Sequence, residues 1–75
     1  MKVIGSTWFL EMGRATPIGV VLVEFDKVEQ QEFGAGKLSA YIGTSAGLSQ
    51  DLDEEKIVKK GARFPVDAAK KLIGS

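Results

Sequence analysis

Lys56, Lys59, Lys60 and Arg63 fall within one short stretch, and Lys70 and Lys71 follow closely. Cations spaced in this way can hold a phosphate or another anionic partner through their summed charge. The residues just before them offer a simpler account. Asp51, Asp53, Glu54 and Glu55 precede the bases, so acids open the segment and bases close it, which complements a helix macrodipole. Glu55–Lys59 and Asp67–Lys71 are i,i+4 pairs in the favourable orientation. Helix physics alone accounts for this charge pattern, and an anionic-partner patch is its second reading.

Glu24, Asp26, Glu29 and Glu32 are the residues that could ligate a hard cation or serve as an acid/base pair. No calcium-loop pattern of D-x-[DN]-x-[DN]-G surrounds them, and we read them as keeping the end of a long hairpin soluble. Gly34-Ala35-Gly36-Lys37-Leu38-Ser39 has the glycines and lysine of a phosphate-binding loop. Its first glycine is misplaced, leucine stands where Ser/Thr is needed, and a strand follows rather than a helix, so it reads as a turn. Gly61-Ala62-Arg63-Phe64 departs from a GXXG clamp at Phe64 and reads as a helix stop with a linker. Trp8, Phe9, Phe25 and Tyr41 lie in strand-like runs, where aromatics can stack bases or grip a peptide.

The chain of 75 residues contains neither cysteine nor histidine. That removes Ser-His-Asp and Cys-His nucleophiles, disulfides, and the usual zinc, haem and iron–sulfur ligand sets. We therefore expect no enzyme, no metal and no cofactor. Ten basic residues balance ten acidic ones, which argues against strong phosphate-driven binding of nucleic acid. The first ten residues begin with one lysine and an apolar run, but Glu11 ends it without an A-x-A site, so no signal peptide is read. No run reaches the roughly 18–20 apolar residues of a membrane-spanning helix. The expectation is one small domain, residues 1–75, in the cytoplasm.

The elements follow from periodicity and turn chemistry. Residues 2–12 read as a strand with Ile4, Trp8, Leu10 and Met12 on one face and Val3, Thr7, Phe9 and Glu11 on the other. Gly13–Pro17 is a turn, and residues 17–25 form a second strand, antiparallel to the first. Lys37 to Thr44 is a third strand, with Leu38, Ala40 and Ile42 opposite Ser39, Tyr41 and Gly43. The 26–37 segment is open between a strand extension, a helical turn and a loop, with an optional fourth strand at 28–33. Asp51 and Glu54 suit a capping box, Gly61 suits a C-terminal stop, and Pro65 opens a second helix over 65–73. The fold class is α+β, in the order β-β-β-α-α. The sheet is three-stranded (four-stranded with the optional element), and both helices are expected on one face.

One strand directs the functional expectation. Ile18, Val20 and Leu22 alternate with Val21, Val23 and Phe25, so residues 17–25 are apolar on both faces, the pattern of a sheet covered on both sides. A domain this small buries only about 60% of its unfolded surface. Two helices on one face would leave the other exposed to water. Val3, Phe9, Val21, Val23, Phe25 and Tyr41 are then the expected interface of a homodimer, the alternative being a small barrel closed by the first strand. The expected function is a non-catalytic protein-interaction module that self-associates. The rival is a nucleic-acid-binding or regulatory protein using the basic residues from Lys56 to Lys71.

Overall fold

Valine, isoleucine and aromatic residues suit a pleated, half-buried surface, and the two runs richest in them pair first. In a computed structural model, which describes residues 1–10, 12–13, 16–44 and 54–74, strand β1 (Lys2–Phe9) lies antiparallel to β2 (Ile18–Glu24). Strand β3 (Leu38–Thr44) pairs antiparallel with the other side of β2, and a short β4 (Ala62–Phe64) completes a four-stranded sheet of order β1-β2-β3-β4. Helix α1 (Lys27–Phe33) joins β2 to β3, α2 (Glu54–Lys60) joins β3 to β4, and α3 (Val66–Gly74) follows. The expected α+β class with an antiparallel sheet is what the chain forms, the order being β-β-α-β-α-β-α, with two helices inserted between strands, rather than β-β-β-α-α. Among the described residues, no helix is long and apolar enough to cross a membrane.

The 28–33 segment is helix, not strand. Asp26 accepts from the Glu29 amide at 2.8 Å, and Glu29 Oε1 accepts from the Asp26 amide at 3.1 Å. This reciprocal capping box satisfies two otherwise orphaned donors. Gly34 ends the helix at φ 61°, a left-handed conformation in which glycine carries no side-chain penalty. The fourth strand arises instead from Ala62–Phe64, read from sequence as a linker. It forms because α2 returns the chain beside β3, where Tyr41 pairs with Arg63. The Asp51 cap lies outside the described residues.

The two C-terminal helices cover opposite faces of the sheet, contrary to the one-face expectation. Ile57 and Val58 of α2 pack on Val21, Val23, Phe25 and Tyr41, with Trp8, Phe33 and Ala35 around them. Ala69 of α3 packs on Val20, Leu22 and Ala40, flanked by Ile42, Phe64, Val66 and Ile73. Every β2 residue from Ile18 to Val23 is buried. Complete burial of each Val, Leu or Phe contributes about 1.5–3 kcal/mol, so β2 and its two covers supply most of the apolar stabilisation.

A bulge resets β1. Val3 pairs with Val23, but the next partners are Gly5 and Leu22, leaving Ile4 as the extra residue. Beyond it Gly5, Thr7 and Phe9 share the face of α3, while Ser6 and Trp8 share that of α2. Val3 and Phe9 consequently point to opposite faces, and Trp8 shares the face of Val3, because one extra residue inverts the side-chain alternation. Trp8 lies across Gly19. A Cβ at Gly19 would stand 1.8 Å from the indole and 2.7 Å from Ile57 Cδ1. Gly19→Ala should therefore cost about 1–3 kcal/mol through overpacking. Urea unfolding followed by Trp8 fluorescence would measure it; an unchanged midpoint would contradict this packing.

Candidate functional site

Four of the six residues expected at a dimer interface are not at the surface. Val21 and Val23 are fully buried, Phe25 is 2% exposed and Tyr41 5%. The cover comes from their own chain. Phe33 of α1 stacks on Phe25 at 4.9 Å between ring centroids and 3° between planes, and Tyr41 sits at 6.2 Å and 59° from the same ring. The Arg63 guanidinium donates to the Phe33 carbonyl at 2.9 Å, tying β4 to the end of α1. With Lys27–Phe33 folded as a helix and α2 beside it, this sheet face is closed. The proposed face is thereby corrected, and with it the shortage of covering elements that motivated it.

Val3 and Phe9, the other two, remain exposed, as do Ile4, Leu10 and Met12. All belong to β1 or to the turn that follows it. Between Val3 and Leu10 the chain carries no charge. β1 is an outer strand of eight residues, and among the described residues no strand pairs with its free side. The outer strand at the opposite edge, β4, has three residues, runs directly into Pro65, and is tied by Arg63 to α1. Short strands, proline and charge blunt an edge against pairing, while a longer uncharged edge keeps its donors and acceptors available. Sequence patterning could not separate these two edges, because strand order is a property of pairing rather than of any one segment.

The basic residues do not gather into one patch. Lys56, Lys59 and Lys60 belong to α2 on one side of the sheet, and Lys70 and Lys71 belong to α3 on the other. Arg63 is engaged by the Phe33 carbonyl. Lys59 lines a cleft of about 350 Å³ with Met1, Glu29, Glu32, Phe33 and Glu55, and Lys56 and Lys60 line a separate one of about 420 Å³ beside Thr44 and Gly61. The acidic candidates disperse too. Asp26 and Glu29 close the α1 cap, Glu32 faces the first cleft, and Glu24 stands opposite Lys2 across the strands. Among the described residues, no group of three or more such side chains is placed to hold a metal ion. No protein-family model matches the chain, and neither the curated proteins nor the solved structures include a significant match.

Glu29 does double duty at the start of β1. Its Oε2 lies 2.7 Å from the Met1 ammonium. The hydrogen bond to Glu29 raises the pKa of that amine above 8.0, outweighing desolvation, with smaller contributions from the charges of Glu29, Asp26 and Glu55. A raised folded-state pKa gives stability that is complete below the unfolded value and is lost as pH climbs through the folded one. Melting temperature should thus fall as pH rises above about 8. Glu29→Gln should flatten that dependence while keeping the capping box, since a glutamine oxygen can accept from the Asp26 amide as the carboxylate does. Equal pH slopes in the two proteins would contradict the pairing.

Proposed function

We propose that this chain is a non-catalytic protein-interaction module that self-associates as a homodimer through the free edge of β1. A single observation carries the reading: one long outer strand, uncharged from Val3 to Phe9, has an open side among the described residues, while the opposite edge is short and tied down. An open strand edge is a template for a further strand, whose main-chain hydrogen bonds supply affinity and whose alternate side chains supply selectivity. The exposed side chains of Val3 and Phe9 flank that edge on its two faces. A formal net charge of zero removes long-range repulsion between copies. The separated lysines and the engaged Arg63 give less support to the nucleic-acid alternative.

A contact of this size belongs with weak, reversible interfaces. Sedimentation equilibrium should find a mass rising from one chain to two as concentration reaches the high micromolar range. A Val3→Lys/Phe9→Lys variant, altered only at exposed positions, should stay at the monomer mass with an unchanged circular dichroism spectrum. A wild-type mass that stays at one chain throughout the range would overturn the reading.

A further inference from the structure

We infer that the two copies pair antiparallel about Thr7, forming one continuous sheet through Gly5–Phe9 of each; this rests on the self-association reading above. The register follows from three constraints. First, residues directly opposite in an antiparallel pair point to the same face of the sheet. Beyond the Ile4 bulge, Gly5, Thr7 and Phe9 share the α3 face while Ser6 and Trp8 share the other. A symmetric pairing must therefore be centred on a residue rather than between two. Second, the bulge interrupts the ladder at one end and β1 stops at Phe9 at the other. Centring on Thr7 uses every regular position between those limits, whereas centring on Ser6 or Trp8 leaves some unpaired.

Third, this register is self-complementary in side chains. Thr7 meets Thr7, a favourable cross-strand pair, and Ser6 meets Trp8. Phe9 of one copy lies opposite Gly5 of the other, where there is no side chain to obstruct it. Ile73 Cγ2 stands 3.0 Å from the point a Gly5 Cβ would occupy, so the incoming ring meets an apolar flank. No charged residue lies within the paired segment. The α3 ends also clear one another. The two Gly5 positions are about 14 Å apart along the strands at roughly 3.4 Å per residue, beyond the 8–10 Å or so at which helices pack.

The chain has no native cysteine, so an introduced thiol reports alone. In this register the two Thr7 Cα atoms lie about 4.5–5.5 Å apart, within disulfide reach. Thr7→Cys should form a covalent dimer under mild oxidation wherever the wild type associates, and adding Phe9→Lys should abolish it. Val3→Cys should not cross-link, and spin labels there should report a separation of about 25 Å or more. Association without a Thr7 cross-link, or with Val3 labels in close contact, would overturn the register and leave the open-edge reading intact. Absence of any wild-type dimer would remove both.

Discussion

The burial of β2 on both faces is the constraint to which the rest of the structure answers. Ile18, Val20 and Leu22 need apolar cover on one side, and Val21 and Val23 need it on the other. A chain this short has few elements to spend, and it divides them. α3 lays Val66, Ala69 and Ile73 against one face, while α2 sets Ile57 and Val58 against the other and α1 adds Phe33. Close approach on the second face depends on Gly19, whose missing side chain makes room for the Trp8 indole and Ile57. The arrangement leaves one buried side-chain polar atom without a hydrogen-bond partner among the described residues, the Tyr41 hydroxyl oxygen, beneath the same cover.

Covering the centre has a consequence at the margins. With three short helices committed to the middle strands, no element among the described residues shields the outer side of β1. The opposite edge is handled differently, by brevity, a following proline and the Arg63 contact to Phe33. The Ile4 bulge shortens the regular part of the β1 edge without closing it, since bulges locally disrupt the ladder and increase twist. The self-association proposed above is thus a matter of strand addition rather than of burying an apolar sheet face.

Much of this fold was legible in the residues, and the exceptions have particular physical causes. The alternation in 17–25 and 37–44 gave β2, β3 and their faces, and Pro65 gave the opening of α3. Helix α1 escaped the periodicity test because only Phe33 packs into the core and Val28 is 72% exposed. Its signal was the Asp26–Glu29 capping box, the same chemistry recognised at Asp51–Glu54. Strand β4 has no local signature, since three residues pair only because of where α2 delivers them. The Ile4 bulge is likewise fixed by partners on β2, and without it the two faces of β1 were misassigned. The helix sides depend on how connections cross the sheet, which residue patterns do not encode. That is why the interface expectation failed at Val21, Val23, Phe25 and Tyr41, and only Val3 and Phe9 of its six residues are exposed.

The most direct test of this account is amide hydrogen exchange along β2 as a function of protein concentration. If the chain's own helices cover both faces, Val20–Val23 should exchange only through global unfolding, with protection factors unchanged on dilution to the monomer. Protection that collapses on dilution would mean that a second copy, and not α2 and α3, keeps water from this strand.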